Sequence, residues 1–295
     1  MLPRRLGRAV GLGALAAIVG LAIALAIVRL VRDYEPVKPR PFLAGTEPLI
    51  IAHRGASAHT TEHTLAAYEQ AVAAGADVLE LDLRLTADRV PVVAHDEDLD
   101  RPLDVPLPIA RATVDELRRA VAKTHPDAEA DTLLLTFDDV LAGFPDMRLN
   151  VELKDDGAAL AAAVADRIVE HRAHERVLVA SFHSRALRAF RDVAGERVAT
   201  SAGTAEVIRF YGCYLVRLPC RPDYQALQIP PRPGPLNLTS PRFLRFAERH
   251  GLAVHYWTIN DPEELRSLLA LGADGIMTDD PEAAVAARAA LARDR

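Results

Sequence analysis

Short strand-like runs alternate with helix-like segments from Leu49 to the C-terminus, and this alternation constrains the fold more than any other feature. Runs such as Val177–Ala180 are apolar and only a few residues long, whereas Ala158–His171 has the length and composition of a helix. Repeated strand–helix units form a parallel sheet with helices outside it. The pattern yields eight or nine strands, enough to close a barrel of ~250 residues. We therefore predict an α/β fold, a distorted TIM-type (β/α)8 barrel.

Two further features of the chain bear on this fold. No strand is followed by Gly-x-Gly-x-x-Gly and no Walker phosphate loop is present, which disfavours a doubly wound nucleotide-binding sheet. The segment from Gly203 to Pro241 is rich in proline and aromatic residues, and it is predicted to be mostly irregular, as a loop or a lid.

The composition is that of a folded protein without a nucleic-acid partner. The chain has 295 residues, of which 50% are hydrophobic and 26% charged, and its formal net charge is −6. A nucleic-acid interface needs a basic face, which this acidic chain does not indicate. Cys213 and Cys220 lack the spacing of a zinc knuckle or a redox pair. They are either two thiols or, if the domain is exported, a disulfide across a small loop. The sequence predicts no particular oligomeric state.

A separate hydrophobic segment lies at the N-terminus. Ala9–Val28 is a run of 20 uncharged, mainly apolar residues, long enough for the ~30 Å hydrocarbon core of a bilayer. We predict an uncleaved single-pass transmembrane anchor, with a cleaved signal sequence as the alternative. Basic residues flank the run on both sides, so the charge pattern does not fix its orientation, and an extracytoplasmic domain is our working expectation. The chain then divides into an anchor at 1–32, a proline-rich spacer at 33–48 and the barrel domain at 49–295.

Three acidic side chains are predicted to point into the barrel. Glu80 and Asp82 lie two residues apart on one predicted strand, so they share a face, and leucines occupy the opposite face. Glu152 repeats this arrangement on another strand. Three inward carboxylates form an oxygen-rich site for a divalent cation, Mg²⁺ or Ca²⁺. The alternative, surface salt bridges with Arg84 and Lys154, would require reversed strands that expose the leucines.

Two histidines follow predicted strands and form a candidate acid–base pair. The turn at Thr86–Arg89 is too short for a crossover helix, so its two flanking strands should form an antiparallel hairpin. A turn centred between Ala87 and Asp88 places Glu80 opposite His95. His53 follows the first strand. A lone histidine is more often structural, but two at strand ends beside inward carboxylates indicate proton transfer.

Positive and aromatic side chains occur at the same strand ends. Arg54 and Lys154 are donors suited to phosphate oxygens, and they also have the charge to pair with the acidic cluster. Trp257 is the only tryptophan, and both a substrate platform and an ordinary core position remain open for it.

These residues, in this order, resemble the glycerophosphodiester phosphodiesterase family. The matching segments are Ile51-Ala52-His53-Arg54-Gly55, Glu62-His63-Thr64, Glu80-Leu81-Asp82, Val93-Ala94-His95-Asp96, Glu152-Leu153-Lys154, Trp257-Thr258-Ile259-Asn260 and Gly272-Ala273-Asp274-Gly275-Ile276-Met277-Thr278-Asp279. The resemblance covers Leu49 to the C-terminus, and it departs from the family's frequent pattern at His63, where asparagine is common.

The resemblance implies a distorted TIM barrel that hydrolyses glycerophosphodiesters to an alcohol and glycerol 3-phosphate. It also implies a role for each matched position. The metal ligands would be Glu80, Asp82 and Glu152, and the acid–base pair would be His53 and His95. Arg54 and Lys154 would bind the phosphate. Glu62 would be an acidic residue that supports the site.

Three other functions compete with this interpretation. A lysophospholipase D-type enzyme would use the membrane anchor to reach lipid substrates. A catalytically silent, membrane-tethered binding barrel would lack a ligand or a histidine, and none is missing. A zinc hydrolase of the amidohydrolase type would need His-x-His after the first strand, where this chain has His53-Arg54-Gly55.

Overall fold

The computed structural model describes residue 19, residues 34–234 and residues 236–293. Its strands form one sheet that is parallel except for β3. The apolar runs of the sequence become these strands because most of their residues are buried on both faces of the sheet. The strands are β1 (Leu49–Ala52), β2 (Val78–Leu85), β3 (Pro91–Val93), β4 (Arg148–Leu153), β5 (Val177–Ala180), β6 (Ala199–Thr200), β7 (Ala226–Ile229), β8 (Ala253–Tyr256) and β9 (Gly275–Thr278).

The sheet closes into a barrel. Its parallel strands follow the spatial order β6-β5-β4-β2-β1-β9-β8-β7. The two ends of this order meet in a parallel bridge between Ser201 and Ala226, where Ala202 N donates to Ala226 O at 2.9 Å. A second bond, from Gln225 N to Thr200 O at 2.9 Å, lies on the same seam. The predicted eight-stranded TIM-type barrel is therefore confirmed, with β3 as an addition to β2.

The hairpin of β2 and β3 is antiparallel as predicted, but its predicted register is wrong by one residue. Leu83 pairs with Val93, so Glu80 does not face His95. The turn has three residues, 87–89, because Arg89 takes up the left-handed conformation at φ 63° and Thr86 N donates to Val90 O at 3.1 Å. His95 consequently lies beyond the ladder, in the loop after β3.

The helices cover the outside of the barrel and begin at capping residues. Thr64 Oγ1 accepts from Ala67 N at 3.2 Å, and Thr113 forms a reciprocal capping box with Glu116. The Asp261 side chain caps another helix by accepting from Glu263 N and Glu264 N. The helices are α1 (Leu65–Ala73), α2 (Asp100–Leu103), α3 (Val114–Thr124), α4 (Ala130–Leu133), α5 (Phe137–Gly143), α6 (Ala158–Glu170), α7 (Ser184–Ala194), α8 (Thr204–Val216), α9 (Pro241–Arg249), α10 (Pro262–Leu271) and α11 (Pro281–Arg293), with 3-10 turns at Pro41–Leu43, Ile109–Arg111 and Gly195–Arg197.

The two faces of β2 show how the barrel separates its layers. Leu79, Leu81 and Leu83 are buried in the core between the sheet and the outer helices. Val78 belongs instead to an apolar cluster inside the barrel, with Leu178 of β5. Glu80 and Asp82 share the inward parity of Val78, as predicted.

The segment from Gly203 to Pro241 was predicted to be mostly irregular, and it also contains a helix that was not predicted, the 13-residue α8. This helix buries Phe210 against the aromatic rings of α9 and has exposed apolar residues on another face. A helix that is apolar on several faces has no clear 3.6-residue period, so the pattern is hard to read from sequence. Cys213 of α8 is joined to Cys220 by a disulfide, with 6.0 Å between the two Cα atoms.

The predicted N-terminal elements are only partly described. Among the described residues, no helix is long and apolar enough to cross a bilayer. The predicted anchor Ala9–Val28, apart from Val19, lies outside the described residues. In the predicted spacer, Phe42 is buried and Val37 N donates to His250 O at 3.0 Å.

Candidate active site

Three carboxylates from two neighbouring strands meet inside the barrel. Asp82 of β2 lies in register with Glu152 of β4, and Glu80 lies one pleat earlier on the same face. One oxygen from each of the three lies within 4.8 Å of the others. Glu80 is 2% exposed and Asp82 is 1% exposed. The predicted acidic cluster is thus a feature of the barrel interior.

Burial and mutual repulsion shape the protonation of these carboxylates. Burial, together with the negative charge of Asp82, raises the pKa of Glu80 to about 8. The same two causes raise the pKa of Glu152. Burial also raises the pKa of Asp82, but a hydrogen bond from His63 and the nearby cations outweigh it and hold that pKa well below its usual value. Burial and repulsion therefore oppose ionisation of all three carboxylates at once unless further positive charge is supplied.

The two predicted phosphate binders flank the carboxylates. Lys154 Nζ lies 3.1 Å from Glu152 Oε1 and 3.4 Å from Asp82 Oδ1. Arg54 Nε lies 3.3 Å from Asp82 Oδ2, and the Arg54 backbone N donates to Glu80 Oε2 at 2.8 Å. In the described part of the chain, no side-chain cation comes within ion-pair distance of Glu80. Among the described residues, the Glu80 carboxylate thus has only a backbone donor, and it lines the cavity.

His53 is held by an aspartate from the last strand. Its Nδ1 donates to Asp279 Oδ1 at 2.6 Å. Ser57 Oγ and Asn260 Nδ2 also donate to Asp279, at 3.0 and 2.5 Å. Burial lowers the pKa of His53. The hydrogen bond to Asp279 and the charge of Glu80 raise it by more than burial lowers it, so the pKa lies above its ordinary value. The opposite ring nitrogen, Nε2, is left for chemistry.

His95 has the same arrangement on the other side of the site. Its Nδ1 donates to Asp96 Oδ1 at 2.6 Å, and Arg101 Nε donates to Asp96 Oδ2 at 2.6 Å. The Arg101 guanidinium also binds Glu62 through two bonds, of 2.6 and 2.8 Å. Glu62 in turn accepts from Arg54 Nη1 at 3.2 Å. Arg101 therefore connects the partner of one histidine to the arginine beside the carboxylates.

His63 is a site residue that its sequence context did not single out. Its Nε2 donates to Asp82 Oδ2 at 3.0 Å, and its Nδ1 accepts from the Tyr68 hydroxyl at 2.9 Å. Burial lowers the pKa of His63, and its backbone lies in the left-handed region at φ 63°. This imidazole therefore fixes the orientation of the Asp82 carboxylate through its hydrogen bond to Oδ2.

Sequence reasoning missed other supporting residues for different reasons. Asp279 follows β9 directly and Asp96 lies three residues after the end of β3, so their positions near strand ends gave a usable signal. Asn260 belongs to the matching segment Trp257-Thr258-Ile259-Asn260, but no role was predicted for it. Arg101 gave no signal, because its two partners lie in separate segments of the chain.

A cavity of about 560 Å³ opens above these groups. Trp257 lines one side of the cavity. The ring of Trp257 packs edge-on against the ring of Phe182, with 5.6 Å between the ring centroids. Much of the remaining wall is apolar and comes from α8 and residues 229–238, of which residue 235 is not described. The predicted site residues among its lining are His53, Arg54, Glu80, His95, Glu152, Lys154 and Trp257. Asp82 and Glu62 reach the site through the contacts given above.

Comparison with known proteins agrees with this geometry. The sequence profile of the Glycerophosphoryl diester phosphodiesterase family matches residues 53–283. A probable glycerophosphodiester phosphodiesterase 2 of Mycobacterium tuberculosis is 31% identical over 250 residues, covering 81% of this chain and 89% of that protein. A glycerophosphodiester phosphodiesterase of Caldanaerobacter subterraneus is 30% identical, covering 79% of this chain and 95% of that protein.

A solved structure shows the same fold. It is a phosphodiesterase of Oleispira antarctica in complex with the product sn-glycerol-3-phosphate, with a TM-score of 0.67 and 25% identity. The match covers 82% of this chain and 96% of that one. The profile spans well over half of the sequence, and the first two relatives agree with it. The chain belongs to the glycerophosphoryl diester phosphodiesterase family.

Proposed function

We propose that the protein hydrolyses glycerophosphodiesters to an alcohol and glycerol 3-phosphate, with His53 and His95 transferring the protons. The observation that carries this is the pairing of two imidazoles in one cavity, each with its Nδ1 fixed by an aspartate at 2.6 Å. Both rings then present Nε2, which accepts a proton when neutral and donates one when charged. The family membership of the chain supports the same reaction.

The carboxylate cluster fits a divalent cation. Glu80, Asp82 and Glu152 would hold it, since their oxygens are clustered and their charge is incompletely balanced by Arg54 and Lys154. An all-oxygen donor set suits Mg²⁺ or Ca²⁺. When bound, the cation would supply Lewis-acid polarisation of the phosphodiester.

The chain's own residues then bind the substrate and move its protons. Arg54 and Lys154 would bind phosphate oxygens and stabilise the charge that develops on phosphorus. One imidazole removes a proton from the attacking oxygen, which is either the glycerol hydroxyl next to the ester or a water, and the other protonates the leaving alcohol. Where the hydroxyl attacks, water then opens the cyclic phosphate to glycerol 3-phosphate. Glu62 supports the site by holding Arg54 and Arg101. Trp257 would form a side wall for the substrate.

A direct assay tests this function. The full chain in detergent is incubated with glycerophosphocholine, and glycerol 3-phosphate is measured with and without EDTA, then after restoring Mg²⁺ or Ca²⁺. We expect activity that EDTA removes and one of the two ions restores. His53→Ala and His95→Ala should each lower turnover by about 10²-fold or more while the thermal melt is retained. Absence of glycerol 3-phosphate under every condition would instead favour the silent binding barrel.

We also propose that the Ala9–Val28 segment tethers the domain to a membrane, with the domain on the extracytoplasmic side. The run of uncharged residues supports the tether. The Cys213–Cys220 disulfide supports an oxidising compartment. Sedimentation of the protein with membranes after a high-salt wash tests the tether. Digestion of the domain by protease added to intact spheroplasts tests the side of the membrane. A domain protected from protease in intact spheroplasts would contradict the proposed side.

A further inference from the structure

One side of helix α8 is apolar and exposed to solvent. This side, the outer face of α8, consists of residues three or four positions apart along the helix: Ala205, Ile208, Gly212, Leu215 and Val216. Ile208 is 67% exposed, Leu215 is 61% exposed and Val216 is 64% exposed. A helix that is apolar on all sides is normally buried all round. The described part of the chain covers only the opposite side of α8, so the outer face calls for a partner.

Exposed apolar side chains concentrate around the outer face. Within residues 49–293, eight large apolar residues among those described are exposed, and three of them belong to the outer face. Phe182 and Leu236 are also exposed, and they line the same cavity as Ile208. The other three are single valines on α1, α6 and α7. Scattered single residues need no explanation, whereas a continuous apolar patch marks an interaction surface.

Positive charge borders the outer face. Four exposed arginines lie on the two neighbouring helices, Arg209 on α8 and Arg242, Arg245 and Arg249 on α9. The same helices carry two acidic residues, Glu206 and Glu248, and Glu206 is already paired with Arg191 at 2.7 Å. The Arg242 guanidinium lies 5.4 Å from the ring centroid of Tyr214, so the arginines of α9 begin beside α8. An apolar helix face bordered by arginines matches a bilayer with anionic head groups.

The chain enters the domain beside these two helices. The Tyr34 ring lies 4.9 Å from the ring of His250, which follows α9. The His250 ring lies in turn 5.2 Å from the ring of Phe210, on the buried side of α8. Only residues 29–33 separate Tyr34 from the predicted anchor Ala9–Val28, and a segment of this length spans at most about 20 Å. A bilayer that holds the anchor is therefore within reach of α8.

We propose that the outer face of α8 binds the lipid surface of the membrane that holds the anchor, while the bordering arginines contact anionic head groups; this rests on the tether proposed above. The apolar side chains would enter the boundary between head groups and acyl chains by ~5–10 Å, as interfacial helices do. Ile208 belongs both to the outer face and to the cavity lining, so the cavity would open beside the bilayer. A second copy of the chain is a poorer occupant, because two faces bordered by arginines repel each other.

Quenching of a fluorophore by lipid tests this contact. The full chain is reconstituted into phosphatidylglycerol vesicles with and without doxyl-labelled lipid, and the dye is attached through Leu215→Cys, which lies outside the cavity lining. One dye per molecule shows that Cys213 and Cys220 remain paired. We expect doxyl lipid to remove most of the fluorescence. Val169→Cys, at a position of α6 that is 49% exposed, is the matched control and should keep nearly all of it.

Charge reversal measures the contribution of the arginines. Each basic residue at an anionic surface strengthens binding about fivefold, so Arg245→Glu/Arg249→Glu should reduce the quenching of the dye at position 215. The control is Arg119→Glu/Arg172→Glu, which reverses two exposed arginines on other parts of the surface and should leave the quenching unchanged. Equal quenching in both double variants would overturn the proposed contact with anionic head groups.

The remaining outcomes separate the outer face from the tether. An unquenched dye at position 215, in protein that floats with the vesicles, would overturn this inference and leave the tether intact. Protein that does not float with the vesicles would contradict the tether and the contact together. Energy transfer between donor-labelled and acceptor-labelled copies, without quenching by lipid, would assign the outer face to a second copy and overturn the lipid assignment. Hydrolysis of glycerophosphocholine by the same samples tests the proposed activity independently of these results.

Discussion

The Nδ1 of His53 lies 2.6 Å from Oδ1 of Asp279, although 226 residues separate them. Their strands β1 and β9 are parallel neighbours, with Ala52 beside Thr278. His53 and Asp279 are therefore the next residues after a matched pair, and both lie at the carboxyl ends of adjacent strands. The orientation of this imidazole depends on the pairing of the first strand with the last.

Replacement of Asp279 should shift the pH dependence of the reaction to lower pH. The carboxylate raises the pKa of His53, so Asp279→Asn should lower that pKa. If His53 is the base, the acidic limb of the pH–rate profile should move to lower pH. If His53 is the acid, the alkaline limb should move to lower pH. We expect kcat to fall about 10²-fold as well. NMR titration of the His53 ring measures the same pKa, and an unchanged or higher value in the variant would contradict this account.

The metal-free protein should lose stability as the pH rises from about 4.5 to about 8. The pKa of Glu80 is raised from 4.5 to about 8, chiefly by burial, so the folded state binds a proton that the unfolded state releases across this range. Glu80→Gln should flatten the dependence and raise the melting temperature in EDTA at pH 8 by several degrees. Thermal melts in EDTA across this range measure both effects.

The same variant should behave oppositely when cations are present. Mg²⁺ or Ca²⁺ should raise the melting temperature of the native protein, because a ligand that binds only the folded state stabilises it. Glu80→Gln and Glu152→Gln should lose this increase and lower turnover by about 10²-fold or more. Equal cation-induced shifts in native and variant proteins would place the ion elsewhere.

Arg101 should position His95 through Asp96. Its Nε donates to Asp96 at 2.6 Å while its other nitrogens hold Glu62. Because lysine cannot make this forked contact, both Arg101→Ala and Arg101→Lys should lower kcat by roughly 10-fold to 100-fold. Arg111→Ala, at an exposed arginine in the same region, serves as the control in steady-state kinetics. Full activity of Arg101→Lys would show that charge alone is sufficient.

Gly55→Ala should be strongly destabilising. Gly55 has φ +84°, and a Cβ there would lie 2.7 Å from the backbone carbon of Ala67. Strain and steric overlap together should cost about 3 kcal/mol or more of the free energy of unfolding, measured by urea denaturation. Gly212→Ala is the matched control, since it lies inside α8 with nothing within 4 Å of the added Cβ. It should stabilise the protein by about 1 kcal/mol.

Loss of the disulfide should weaken the α8 region. Cys213 and Cys220 close a short loop, with a sequence separation of 7. Replacing both cysteines by serine should lower the free energy of unfolding by about 2 kcal/mol, and dithiothreitol should do the same to the native protein. Dithiothreitol should have no effect on the double variant, and a shift there would point to another cause.

The strands and the inward carboxylates were predictable because their signals are local. The bounds of β1 and β5 agree with the apolar runs of the sequence. The alternation of Glu80 and Asp82 with leucines is a period of two, which fixes their common face without knowledge of any partner. The position of His53 after a strand followed from the rule that parallel strands present their carboxyl ends together. His95 follows the antiparallel strand β3, so its position came from the predicted hairpin instead.

The errors arose where conformation depends on distant contacts or on single dihedral angles. One left-handed residue, Arg89, lengthened the hairpin turn and shifted the register by one. Helix α8 was not predicted because its apolar residues serve both the core and the cavity. The predicted anchor at 1–32 stays a prediction, as does the side of the membrane.

The sequence by itself determined the barrel, the parity of each strand and the residues that carry the chemistry, because these are set by neighbours within a few positions. The tertiary structure decided that Asp279 holds the imidazole of His53, how Arg101 joins Glu62 to Asp96, and that α8 lines the active site. These pairings unite residues from separate strands and loops. They form only when closure of the sheet brings the carboxyl ends of its strands to one rim.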